Sequence, residues 1–157
     1  MKTPISGGNN MVNILINNAQ QRASDENIPF KVNIMVPSKL PIDNTDLCII
    51  LGNLLDNALE GNMRITDRNI ERFIQTDIRI QKAFLFIRIS NAFDGKYKIN
   101  EKHYVSIKTD TKYHGIGLSN VNAVLEKYQG DMKISQKEQT FIVTIMIPLN
   151  NMSSDNN

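Results

Sequence analysis

Residues 46–61, DLCIILGNLLDNALEG, set two asparagines, Asn53 and Asn57, four positions apart inside an otherwise apolar run. Side chains four apart share one helical face. Leu47, Ile50, Leu51, Leu54, Leu55 and Ala58 predict a buried helix, where a carboxamide is costly unless something satisfies it. Backbone carbonyls at a helix–helix contact are one such partner, and a ligand or metal ion is another. The spacing alone leaves both open. A second signal comes some sixty residues on, where residues 113–121, YHGIGLSNV, form a glycine-rich turn. It runs into the helical pattern Val121, Val124, Leu125, Tyr128 and stops at Gly130. Glycines let a backbone approach a ligand closely, and the free N–H groups of a first helical turn, with the dipole behind them, suit phosphate oxygens. A single GxG turn is commonplace as a connector; the asparagine helix beside it gives it weight.

At 157 residues with 41% hydrophobic side chains, the chain has the length and composition of one domain with a real core. The formal charge of +2, with Lys and Arg scattered, indicates neither nucleic acid nor an anionic membrane as a partner. No apolar run approaches the ~18 residues a membrane helix needs, and the first ten residues lack the apolar core of a signal peptide, so a soluble, cytoplasmic domain is expected. Cys48 is the sole cysteine. It excludes an internal disulfide or thiolate cluster, and its apolar helical setting predicts a small core residue.

Along the chain, Val12, Leu15, Ile16 and Ala19 give residues 11–23 a helical period ending near Ser24-Asp25. Residues 30–36 alternate as a strand, and Asp43, Asn44 and Thr45 offer caps for the asparagine helix. Residues 74–80 and 84–89 read as a hairpin joined near Gln81-Lys82-Ala83, with Ile78 and Ile80 on one side and Phe84, Phe86 and Arg88 marking the period. Residues 132–135 and 140–147 form a second hairpin around Lys137-Glu138-Gln139. A mixed sheet with helices on one face follows. Residues 94–113 are long, polar and without sustained period, which predicts a mobile lid-like loop. The end, 150–157, is polar enough to be a disordered tail.

Together these segments resemble the ATP-binding domain of the GHKL superfamily, and within it the sensor histidine kinases that include peptide-pheromone receptors. Residues 53–60 correspond to the family's N-box, 114–118 to its second glycine box, and 87–93 to the strand that ends at the nucleotide; the likeness runs from about Ile28 to Pro148. It implies a Bergerat-type α/β (α+β) two-layer sandwich, a mixed sheet with about three helices on one face and an ATP lid. The implied organisation is a linker helix from a dimerisation hairpin over 1–27, the catalytic domain over 28–149 and a tail over 150–157.

By the same resemblance, Asn57 binds Mg²⁺ through its amide oxygen, a neutral hard ligand that does not oppose the triphosphate's charge, with Asn53 supporting the ion or the phosphates. The backbone of Gly115, Ile116, Gly117 and Leu118 holds phosphate oxygens, and His114 is a candidate donor to them. Lys108 matches a lysine that contacts the terminal phosphates, although solvated loop lysines are common. Glu60 shares the face of Asn57 and is a candidate water or ion contact; Asp56 is expected to be an exposed or capping charge. Glu60 and Lys108 are the candidate catalytic side chains. The family's DxGxG box is absent, which leaves Asn91, able to donate and accept, and Asp94, within a common Asp-Gly turn dipeptide, as candidates for the adenine edge.

The resemblance also implies a function: transfer of the ATP γ-phosphate to a histidine on a separate dimerisation domain. His103 and His114 lie in the lid and glycine box, so that acceptor is expected in trans. The implied partners are the histidine-bearing domain, a response regulator and a membrane-attached parent protein, with the isolated domain a monomer. An anti-sigma-factor-type serine kinase and a degenerate, non-catalytic GHKL interaction module are the alternatives.

Overall fold

The computed structural model describes Pro4, residues 7–96 and residues 115–149. The tail, nearly all of the expected lid, Lys108 and His114 lie outside the described residues. Asn9 starts the first helix, α1 (Asn10–Asp25), by accepting a hydrogen bond from the Val12 N–H at 3.0 Å. Val12, Ile16, Ala19 and Ala23, spaced three and four apart, are its buried face. Strand β1 (Phe30–Met35) follows, and then α2 (Asn44–Met63), the asparagine helix, with Asp43 at its N-cap position. Next come β2 (Ile74–Gln81), β3 (Phe84–Ala92), α3 (Gly115–Lys127), β4 (Asp131–Lys137) and β5 (Thr140–Pro148).

The five strands form one sheet in the order β1-β2-β3-β5-β4, with β1 and β2 parallel and the other neighbours antiparallel. Parallel neighbours need a crossover, which α2 supplies between β1 and β2. The register sets Ile78 opposite Ile87, Ile87 opposite Ile145 and Ile145 opposite Met132, so one row of side chains crosses the sheet on its inner face. On β3 the buried set is Leu85, Ile87 and Ile89, whereas Phe84, Phe86 and Arg88 occupy the outer face. These inner rows and the apolar faces of all three helices form a single core cluster. The expected mixed sheet under a layer of helices is therefore the observed fold.

The β2–β3 turn places Lys82 and Ala83 at φ 49° and 64°. Two consecutive positive φ values match the twist of a two-residue hairpin, here without glycine. At the end of α3, Gln129 takes the left-handed position at φ 57°, and the Gly130 N–H returns to the Leu125 carbonyl at 2.9 Å. Space is tight at Gly130: a Cβ there would lie 3.0 Å from Leu125 Cδ2 and 3.2 Å from the Met146 carbonyl oxygen, so its neighbours would have to give by a few tenths of an ångström. One expectation is corrected. Cys48 is exposed, because the outer side of the first turns of α2 is left uncovered and opens a cleft lined also by Asn44, Thr45 and Gly52.

Candidate functional site

Positions 46, 50, 53, 57 and 61 repeat at intervals of three and four, so they form one stripe along α2. Its first member shows what the stripe faces. Asp46 accepts hydrogen bonds from the Tyr128 hydroxyl and from Lys127 Nζ at 2.9 Å, both at the C-terminal end of α3. The same hydroxyl accepts the Asp43 N–H at 3.2 Å. The α3 C-terminus thus meets the α2 N-terminus, and the two helices run back from there in opposite senses. By helical rise, Asn57 lies about 16 Å along α2 from Asp46, and Gly115 lies about 18 Å along α3 from Lys127. The asparagine stripe and the glycine-bearing first turn of α3 thus lie at comparable distances along their helices from the shared Asp46–Lys127 end.

That first turn differs from expectation in one respect. Gly115, Ile116, Gly117 and Leu118 are already helical instead of forming a preceding loop, and Leu118 is buried. The four N–H groups at such an end have no partner within the helix.

The two asparagines are not equivalent. Asn53 donates to the Ile49 carbonyl at 2.7 Å, the ordinary backbone use of a helical asparagine, and it also borders the outer cleft with Cys48 and Asp56. Asn57 is half-buried, and its carboxamide bonds to no described residue. Asp56 turns the other way and pairs with Arg22 of α1. Glu60 is exposed, with Arg64 at 3.7 Å.

The stripe ends at Gly61, against the end of β3. Asn91 there is 4% exposed and donates from Nδ2 to the Ala92 carbonyl at 2.9 Å. Asp94, three residues on, accepts the Lys96 N–H at 3.0 Å across Gly95, at φ 73°. Its carboxylate is engaged in local turn chemistry. Lys108 and His114 cannot be set beside these groups, since they fall outside the described residues.

Sequence reasoning missed two features next to the stripe. Asn62, fully buried, donates to the Ala58 carbonyl at 2.9 Å and the Phe73 carbonyl at 3.0 Å, and accepts the Phe73 N–H at 3.0 Å. It fastens the end of α2 to the segment entering β2. Its signal was a further asparagine in the same helix, on the face of Leu51, Leu55 and Ala58. The second is the Asp46 cluster. Hydrogen bonds from Tyr128 and then Lys127 hold the Asp46 carboxyl below its ordinary pKa. Burial, followed by the Asp46 contact, pushes the Tyr128 phenol up, and Lys127 is raised chiefly by its bond to Asp46. Among the described residues, no group of three or more His, Cys, Asp or Glu side chains could hold a metal ion. Nor is any described helix long and apolar enough to cross a membrane.

A family model described as GHKL domain matches residues 42–148. A probable C4-dicarboxylate sensor kinase of Halalkalibacterium halodurans is 31% identical over 96 residues, 59% of this chain and 18% of that protein. The chain thus spans less than a fifth of this relative. Among solved structures, the catalytic domain of histidine kinase ThkA superposes with a TM-score of 0.69 at 18% identity, covering 92% of this chain and 97% of that one. The Acinetobacter baumannii histidine kinase AdeS gives 0.63 at 17% identity, over 90% of this chain and 64% of that one. The histidine kinase domain of the Erythrobacter litoralis EL346 blue-light activated kinase gives 0.64 at 14%, over 98% and 68%. At such identities the superpositions establish the fold, whereas the matched GHKL model spans most of the sequence and includes both the asparagine stripe and the α3 first turn. This chain belongs to the GHKL domain family.

Proposed function

We propose that this chain is the ATP-binding catalytic domain of a sensor histidine kinase, passing the γ-phosphoryl group to a histidine on a separate dimerisation domain. The observation that carries the proposal is the half-buried carboxamide of Asn57, which bonds to no described residue and sits on the helix that packs against α3. A neutral oxygen ligand beside free helical N–H groups fits Mg²⁺ and a polyphosphate, because Mg²⁺ favours a few protein oxygens completed by phosphates and water. The sensor-kinase relative and the histidine kinase folds support the same assignment.

ATP supplies the transferable phosphoryl group, and a bound Mg²⁺ supplies charge neutralisation. The chain's own contribution is position. Asn57 offers Oδ1 to the cation, and Asn53 offers the oxygen left by its backbone bond. The N–H groups of Gly115, Ile116, Gly117 and Leu118 hold phosphate oxygens, with His114 and Lys108 as further donors. Glu60 serves as a water or ion contact at the rim, and Asn91, with Asp94 close behind it in sequence, meets the base edge. Turnover also needs the histidine-bearing domain, and a response regulator receives the phosphoryl group in turn.

Calorimetric titration of the chain with ATP, with and without Mg²⁺, tests this. Magnesium-dependent binding is expected, and Asn57→Ala should weaken it at least about tenfold, the usual scale for losing a group that tunes a metal site. No heat from the wild-type chain would remove the ATPase-fold site altogether, leaving an interaction module. Unchanged binding by Asn57→Ala would remove Asn57 from the site.

A further inference from the structure

Gly61 closes the asparagine stripe, and a Cβ on it would stand 2.7 Å from Asn91 Nδ2, 3.8 Å from Asn91 Cγ and 3.5 Å from the Ala92 carbonyl oxygen. Real carbon atoms do not approach a nitrogen so closely. The residue must remain glycine for the Asn91 amide to lie where it does. That placement also decides which end of the amide is free. A carbonyl oxygen only accepts, so the group 2.9 Å from Ala92 O must be the nitrogen. Asn91 Oδ1 is then its open end, and no described residue donates to it.

We infer that Gly61 is a positioning residue that leaves the room the Asn91 amide needs to sit on the Ala92 carbonyl with its oxygen outward, making the end of β3 an acceptor-only reader for a purine carrying a 6-amino group. This rests on the proposed nucleotide site and adds the side chain that orients its base contact. A 6-amino purine offers a donor to Asn91 Oδ1, and a 6-oxo purine offers a second acceptor and is refused. A site built around a specific hydrogen bond discriminates strongly against the analogue that leaves it unpaired.

Gly61→Ala is the test, because it separates position from stability. The clash falls on the far end of a side chain that can swing away, while alanine is the better helix former. The midpoint of thermal unfolding should not fall. Affinity for Mg-ATP should drop about tenfold, whereas that for magnesium tripolyphosphate should change by less than about twofold. The preference for ATP over GTP should narrow. Asn91→Ala and the Gly61→Ala/Asn91→Ala pair should bind ATP alike, since both remove one contact. In the nucleotide-free protein, the Asn91 side-chain NH₂ signals, identified by their loss in Asn91→Ala, should shift in Gly61→Ala. If the wild-type chain binds no Mg-ATP, the proposed function falls and this inference falls with it. If the wild type binds and Gly61→Ala keeps the same ATP affinity and ATP-to-GTP ratio, this inference alone is overturned. An unmoved Asn91 amide signal would overturn it as well.

Discussion

Asn53, Asn57 and Asn62 of α2 look alike in the sequence and do three different things. Asn53 spends its nitrogen on the Ile49 carbonyl, Asn57 bonds to no described residue, and Asn62 is fully buried with three hydrogen bonds. Burial sets their energetic weight, since a buried polar atom stripped of its partner keeps its desolvation cost while a half-exposed one regains water. Asn62→Ala should therefore cost about 1–3 kcal/mol, because it orphans the Phe73 N–H, while the Phe73 carbonyl keeps the Ala92 N–H at 3.2 Å and the Ala58 carbonyl its helical bond. Asn57→Ala should stay within about 0.5 kcal/mol of wild type, while losing the proposed magnesium-dependent binding. Urea unfolding of the two variants checks both, and the opposite order of stabilities would refute the division. The pair at 53 and 57 was legible because spacing marks a shared face. The rank within the trio was not, because it depends on which sector of α2 meets the Phe73 backbone, a contact between positions eleven apart.

The elements themselves were largely written in local periodicity: the three-and-four spacing of α1 and α2, and the alternation of β2, β3 and β5. What escaped is how α2 and α3 are joined at their ends. Asp46 is nearly buried, held by the Tyr128 hydroxyl and Lys127, and Lys127 also lies within 3.6 Å of Asp43. Partners 81 and 82 residues away leave no trace in a short sequence window. The pH dependence has two limbs. The lowered Asp46 carboxyl contributes stability in full above about pH 4, its unfolded value, and that contribution fades as pH falls through the lowered one. The raised Tyr128 phenol contributes below about pH 10, and its part is lost as pH climbs through its elevated value, with Lys127 acting in the same direction. Asp46→Asn should lower stability by about 2 kcal/mol at neutral pH, and the gap should narrow as pH falls below about 4 and through the lowered Asp46 value, where the wild-type carboxyl takes up its proton. Unfolding midpoints measured from pH 2 to 7 decide it, and parallel curves for the two proteins would show that Asp46 contributes nothing through its charge.

At the scale of the molecule, the question is whether α1 is a passive connector or part of the folding unit. The division near residue 27 is an expectation from resemblance; the packing describes cohesion. Val12, Ile16, Ala19 and Ala23 belong to the same core cluster as the inner rows of the sheet, and Arg22 pairs with Asp56 on α2. Asn9 reaches across to the Ser38 carbonyl at 3.2 Å, which ties the start of α1 to the segment after β1. A helix anchored at its start, along its apolar face and near its end has no independent core to retain if it leaves, so its unfolding and that of the sheet should be one event. Ile16, 0% exposed, is the sharpest probe. Ile16→Ala should cost about 2–5 kcal/mol through lost burial and the cavity left behind. Circular dichroism, which follows all helices and strands together, and the amide exchange of β3, at the middle of the sheet, should report that loss equally. A variant that frays α1 while β3 keeps wild-type protection would mark α1 as a separable arm, and the core drawn through Ile16, Leu51 and Ile87 would then divide at its first helix.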